Sequence, residues 1–493
     1  MEAYRHHIIL GALGIYMLLC IAIGIWALRR TSSVKDFFMA GRDLGIMVAA
    51  FAIFSSTMSG FGFVGGPGLV YKMGMSSVWM AVCAMIGFTI STFLLAKRLR
   101  LFAELGNSVS LPDAVKLRYN SNSTSLLISV AILLGVLGYM ATQIKAMTVV
   151  LRDILVETPW VEHISLEACM LISCSILVFY SVTGGIIASV YTDIIQGGVM
   201  VVASILIFFA AMYAFEDGFG EISQIIQADD PAAMGPWGTL GMIGCLSWLF
   251  VFALGGAGQP HVITKMMMNK KISDARFILP VSAFGYMFAA LLWISIGLAM
   301  RAAVLSGSHP ELGVPDEAAS QFLQHYASPL LAGVVFAGLF AAIMSTADAF
   351  LNIGTAAIIH DIPKALGKTV PNELFWARTV TFLLTIFAAA FALYTGDLVA
   401  ILGAFGWGTF AAAIVPVVAI GFNWKRATPL AANVAIIASL SLNFIIKIGE
   451  IPLPYSIDVG AFSLFVSMFL FFGISLIDTA AELDPDVSEI MDL

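Results

Sequence analysis

Ser55-Ser56-Thr57-Met58-Ser59-Gly60-Phe61-Gly62-Phe63-Val64-Gly65-Gly66-Pro67-Gly68 and Ala253-Leu254-Gly255-Gly256-Ala257-Gly258-Gln259-Pro260-His261 interrupt two long apolar runs. Glycine raises the cost of helix and proline removes a backbone donor, so both segments are expected to unwind. In lipid, freed backbone groups are tolerated only where they line a cavity or bind something. Two such interruptions in one apolar chain therefore mark a site.

The surroundings of these segments are those of a membrane protein. Of 493 residues 60% are apolar and 11% charged, with a mean hydropathy of +0.96. A soluble domain carries roughly 25% charged residues. Crossing a hydrocarbon core takes roughly 20 helical residues, and thirteen stretches qualify: 8–28, 44–71, 76–97, 124–151, 165–183, 185–215, 239–264, 277–300, 328–360, 375–394, 398–421, 428–447 and 457–477. The first is too long for a signal sequence and has no small-residue cleavage site before Arg29 and Arg30, so it is expected to remain as a span. One transmembrane domain over 1–478 and a short acidic tail over 479–493 follow.

With the N-terminus outside, eighteen of the 24 Lys and Arg fall in inner loops and five outside, as the positive-inside rule prefers. The acidic tail is then cytoplasmic, and the chain is a multi-pass protein of the plasma (inner) membrane. The net charge of −7, without a basic patch, argues against nucleic acid. Cys20, Cys83, Cys169, Cys174 and Cys245 lie in apolar runs without a CxxC pair, so neither disulfides nor a metal site is expected. His6, His7, His163, His309, His325 and His360 form no metal spacing, and His261 beside Pro260 reads as structural. There is no nucleophile elbow, phosphate loop or zinc signature, so the chain is not expected to be an enzyme.

The breaks fall in the second and seventh spans. Five is odd, so a unit repeated after five spans re-enters the membrane upside down. Paired interruptions in two such halves point to a transporter binding site, and the halves run over about 44–215 and 239–421. Close helix packing through small residues is the competing explanation for the glycines.

Around these segments the chain resembles the sodium:solute symporter family, which contains proline, pantothenate, sugar and sialic acid symporters. The likeness rests on Asp36-Phe37-Phe38-Met39-Ala40-Gly41-Arg42, Tyr191-Thr192-Asp193-Ile194-Ile195-Gln196, Gly258-Gln259-Pro260-His261 and Met344-Ser345-Thr346-Ala347-Asp348. It implies an all-α integral membrane fold with two inverted five-helix repeats (a LeuT-like core), one extra N-terminal helix and two C-terminal ones. Sodium wants about five or six oxygens, which carbonyls and hydroxyls supply without adding charge. The resemblance places them at the carbonyls of Ser55, Met58 and Ala342 and the hydroxyls of Ser345 and Thr346.

Some members carry a second sodium site at the position of Asp193, with hydroxyls one turn along the helix of Ser345. Here that turn reads Ala347-Asp348-Ala349, so Asp193 and Asp348 stand as a second ion site, a proton site, structural carboxylates or partners of a cation. Lys145 has three readings: snorkelling to the outer interface, a salt bridge to Asp193 or Asp348, or capture of a substrate carboxylate. The substrate is expected between the breaks, lined by Ser59, Gly62, Phe63, Phe252, Gly256 and Gln259, with Tyr139 and Gln143 from the neighbouring helix. Gly-Gln-Pro-His is similar to the proline branch, whereas Phe63 to Gly68 with Tyr71-Lys72 is closer to the pantothenate branch.

The expected function is uptake of a small organic solute, an amino acid such as proline or a small carboxylate such as pantothenate or a monocarboxylate. Sodium flow drives it, with alternating access as the mechanism and solute, sodium and lipid bilayer as partners. Two alternatives stay open. One is proton coupling through Asp193 or Asp348. The other is solute sensing with a separate kinase, because the tail ending at Leu493 leaves no room for a catalytic domain.

Overall fold

The computed structural model describes residues 4–156, 158, 161, 163–394, 399–479 and 482–493. The first three residues of the expected domain, position 398 at the start of the eleventh expected span, and tail residues 480 and 481 lie outside the described residues.

The described residues form helices and no strand. In chain order the main ones are α1 (Arg5–Leu28), α2 (Ile46–Thr57), α3 (Gly66–Met73), α4 (Val78–Ser91), α5 (Leu111–Tyr119), α6 (Asn122–Val156) and α7 (Leu166–Tyr213). They continue as α8 (Gly241–Trp248), α9 (Pro260–Met266), α10 (Ala275–Leu305), α11 (Pro329–Ala356), α12 (Glu373–Tyr394), α13 (Val399–Ile414), α14 (Pro429–Ile448) and α15 (Val459–Ile477).

Ten helical stretches among the described residues are long and apolar enough to cross a membrane, and two shorter apolar ones, Ile46–Thr57 and Gly241–Leu254, accompany them. Three of the thirteen expected spans account for the difference: 165–183 and 185–215 fall in one stretch, Leu166–Tyr213, kinked at Gly185; the second is divided between Ile46–Thr57 and Phe61–Leu105; and the seventh begins as the shorter helix Gly241–Leu254. α7 has 48 residues, which at 1.5 Å each would reach about 72 Å, more than twice a hydrocarbon core of about 30 Å. Gly185 breaks it, with φ +53° and ψ −144°. A Cβ there would also lie 2.6 Å from the Phe37 ring, so glycine is required twice over.

α11 sits at the centre, buried on every side from Val335 to Ala357, and packs on α7, α1, α6 and α2. α12 turns Phe382, Leu383, Ile386 and Phe387 outward, as a lipid-facing helix does. At one end a single bridge joins Leu44, just before α2, to Asn269, just after α9, through Leu44 N–H to Met268 O (3.2 Å) and Lys270 N–H to Leu44 O (3.0 Å). The segments flanking the two breaks are thereby tied together. The acidic tail folds as a helix, Pro485–Asp492, which buries Val487, Ile490 and Met491. It sets Asp492 2.6 Å from Lys425, while Lys97 and Arg98 donate to the carbonyls of Leu493 and Met491.

Candidate functional site

α2 ends at Met58, whose ψ of +80° leaves the helical range. Helix resumes at Phe61 as a wide π turn running into α3. The exposed backbone donors find side-chain acceptors: Gly60 N–H donates to Gln143 Oε1 (2.9 Å) and Phe61 N–H to Ser59 Oγ (3.2 Å). The second break mirrors this. After α8, a π turn and a 3-10 turn lead to extended Gln259, and Pro260 opens α9 at the position where its missing N–H costs nothing.

α11 crosses the first break. Ser345 Oγ donates to the carbonyl of Ser55 (3.0 Å) and Thr346 Oγ1 to that of Ser56 (2.8 Å), and both hydroxyls also reach the Ala342 carbonyl, at 3.0 and 3.2 Å. Ser55, Ala342, Ser345 and Thr346 therefore come together, four of the five residues expected to hold sodium. The second carbonyl touched is that of Ser56, because adjacent hydroxyls on one helix reach adjacent carbonyls on the next. Met58 stands at the end of that helix. The set contains no charge, and oxygens of this kind suit a hard monovalent cation.

Beside it lies a buried polar network that sequence reading found only in part. Asp193 on α7 accepts from Ser55 Oγ at 2.9 Å and from Lys265 Nζ at 3.0 Å, and Lys265 also donates to the carbonyl of Ala52 at 2.7 Å. Lys265 and Asp193 are 1% and 0% exposed. The lysine meeting Asp193 is thus Lys265, which orientation counting had placed in an inner loop. Lys145 is on α6, half-buried, and its charge bears on Asp316. Burial pushes the Asp316 carboxyl up, opposed by the Val399 N–H at 2.8 Å and by Lys145. The signal for Lys265 was present in its neighbours, Val262-Ile263-Thr264 before it and Met266-Met267-Met268 after it, which are too apolar for a loop.

Asp348 is held by Tyr180 OH (2.8 Å) and Ser189 Oγ (2.7 Å) from either side of the Gly185 break. The hydroxyls absent from its own helix are supplied by α7. Gln196 donates to Tyr16 OH at 2.9 Å, linking α1 to the same network.

Of the expected substrate-lining residues, Ser59 Oγ and Tyr139 OH stand 3.5 Å apart, and Gln259 Nε2 is taken by the carbonyls of Gly255 (3.0 Å) and Trp407 (3.2 Å). Phe252 stacks on Phe61 with centroids 6.1 Å apart and lies 5.4 Å from Trp407. Gly256 packs on the backbone of Gly87, where a Cβ would come within 2.8 Å, and Gly62 lies against Met58 Sδ and Trp293. Phe63 is buried. Sequence reading missed Phe61, Trp293 and Trp407, three aromatics from three elements, since ring packing between distant segments leaves no local pattern. Gln143 Nε2, Gln259 Oε1, both nitrogens of His261 and Trp293 Nε1 are buried without a protein partner among the described residues. Such atoms cost about 1–3 kcal/mol each unless something satisfies them, which suits a place that binds a polar solute.

Away from the breaks, the fold brings Asp113, His360 and Asp361 within mutual reach. His360 meets Glu373 through Nδ1 (2.8 Å) and Asp113 through Nε2 (3.1 Å), Lys364 donates to Asp113 (2.7 Å), and Ser110 Oγ to Asp361 (2.5 Å). With both ring nitrogens turned to carboxylates, the imidazole has no lone pair for a metal, so the cluster is an ion-pair latch between helices.

The sequence model of the sodium:solute symporter family matches residues 37–438. A sodium/proline symporter of Staphylococcus aureus (strain JH9) is 28% identical over 437 residues, covering 84% of this chain and 81% of that one. The fold is similar to a solved Na+-coupled sialic acid symporter in a substrate-bound outward-open state, with TM-score 0.79, 19% identity, and coverage of 97% and 99%. It is also similar to a nucleobase-cation-symport-1 family transporter in a closed conformation with bromovinylhydantoin bound, with TM-score 0.58, 13% identity, and coverage of 92% and 98%.

Proposed function

Because the chain belongs to the sodium:solute symporter family, we propose that it imports a small carboxylate-bearing solute on a sodium ion held at the first break by the carbonyls of Ser55, Met58 and Ala342 and the hydroxyls of Ser345 and Thr346. The observation that carries this is the seating of two adjacent α11 hydroxyls on the carbonyls of Ser55 and Ser56. That arrangement couples α11 to a helix end, so an ion between them favours one relative position of the two. The solute lies between the breaks near Ser59, Gly62, Phe63, Tyr139, Gln143, Phe252, Gly256 and Gln259, with Phe61, Trp293 and Trp407 as apolar walls. An amino acid such as proline fits this mixture of rings and uncharged polar atoms, and the name of the Staphylococcus aureus relative supports it.

In the same reading the transport domain spans 1–478 with thirteen crossings, the two broken helices being equivalent members of inverted repeats. The N-terminus faces outward, and the tail of 479–493 lies on the cytoplasmic side of the plasma membrane. Asp348, with its hydroxyl partners on α7, pins α11 to α7.

The test is uptake of labelled proline, pantothenate and monocarboxylates by proteoliposomes with external sodium or potassium. At least one solute is expected to accumulate with sodium alone, and Ser345→Ala or Thr346→Ala to weaken sodium dependence by about 10- to 100-fold. Undiminished uptake in potassium would overturn sodium coupling in favour of proton-driven transport.

A further inference from the structure

Lys265 and Asp193 form an ion pair inside the helix core and next to the proposed sodium donors. The connection runs through one residue: Ser55 gives its hydroxyl to Asp193 Oδ1 at 2.9 Å and its carbonyl to Ser345 at 3.0 Å. The ammonium rests on Asp193 Oδ2 and on the Ala52 carbonyl, one turn before the sodium donors on the same helix. A carboxylate oxygen and a helix carbonyl, with a hydroxyl alongside, are oxygens that a bound cation seeks. Stability alone accounts poorly for such a pair. Desolvating two charges offsets most of their attraction, and replacing a buried pair with neutral side chains is often neutral or stabilising. What the pair does achieve is to place a positive charge where three elements meet: α2 at Ala52, α7 at Asp193 and α9 at Lys265.

We infer that Lys265 is a tethered cation standing in for a second coupling ion at Asp193, so that the carrier binds one sodium per cycle. This rests on the sodium reading of the first break. The ammonium neutralises Asp193 in every state in which the pair holds, and it carries no charge across the membrane because the chain retains it. Truncating Lys265 uncovers the carboxylate and opens space beside it. Sodium is the cation available to fill that place.

The experiment measures thermal stability of the purified full-length protein against sodium chloride, with choline chloride holding ionic strength constant. A ligand bound only by the folded state raises its stability with a concentration dependence that counts the ions bound. The wild type is expected to show one sodium, a result independent of whether any variant folds; two would overturn the inference. Lys265→Ala is expected to show two, and one would overturn it. Lys265→Arg keeps the cation and is expected to show one. Asp193→Asn combined with Lys265→Ala, which removes both charges, is also expected to show one. Two in either of these variants would equally overturn the assignment. Ser345→Ala separates the failures. If it leaves the wild-type sodium response intact, the sodium reading fails and the inference falls with it. If it removes the response while Lys265→Ala still shows one ion, only the role of Lys265 is wrong.

Discussion

Gln143 illustrates how a side chain can serve the break and, in the proposed reading, the solute as well. Its oxygen accepts the Gly60 N–H at 2.9 Å, while its Nε2 is buried without a protein partner. Gln143→Leu would orphan the Gly60 donor and is expected to destabilise the protein by about 1–3 kcal/mol, read by denaturation in detergent. Gln143→Glu restores the acceptor and is expected to recover most of that loss; equal losses in both variants would refute the role of the oxygen. Residues of this kind were legible because they lie on or beside the breaks, where composition itself announces unwound backbone. Lys265 was not legible to charge counting, which assigns each cation to the nearest end of an apolar run. Extended Gln259 and Pro260 restart the helix late, so the last turn of α9 lies inside the core. The aromatic walls escaped for another reason. Phe61 meets Trp293, and Phe252 bridges Phe61 to Trp407, only once separate helices are packed.

Among the elements, α7 shows what hydropathy can and cannot resolve. Two apolar stretches were visible, and their separation at Gly184-Gly185 follows from glycine adopting positive φ. The kink itself, with Gly185 at φ +53° and ψ −144°, is a matter of backbone geometry, to which apolar content is blind. The latch around His360 is the clearest element-scale device. Burial pushes the Asp113 carboxyl up, yet hydrogen bonds and charge from His360 and Lys364 outweigh it and hold the group down to about 2 from 3.8. A depressed carboxylate stabilises the fold fully above the unfolded value and loses that contribution as pH falls through the folded value. The latch therefore contributes about 2 kcal/mol above pH about 4, fading toward pH 2. The stability gap between wild type and Asp113→Asn is expected to narrow over that window. A gap independent of pH would show that Asp113 acts through shape alone.

For the whole molecule, few charges remain inside: Asp193 has a cation beside it, and Asp348 is held by the hydroxyls of Tyr180 and Ser189. Lys265 meets Asp193, the proposed sodium donors are neutral, and the side chains proposed to line the solute site carry no charge. With the one mobile sodium proposed above, the net charge moved per cycle is decided by the solute. A zwitterion such as proline makes the cycle carry one positive charge inward, whereas a monocarboxylate makes it electroneutral. One charge across 100 mV supplies about 2.3 kcal/mol and a tenfold sodium gradient about 1.4. Together these sustain several hundredfold accumulation of a zwitterion, whereas for a monoanion the pull of the potential on sodium and its push on the solute cancel, leaving about tenfold from the sodium gradient alone. An inside-negative potassium diffusion potential imposed on proteoliposomes is therefore expected to accelerate sodium-driven uptake. Uptake of a solute that is indifferent to the potential would point instead to a monoanion, since charge balance with one sodium then leaves nothing for the field to act on.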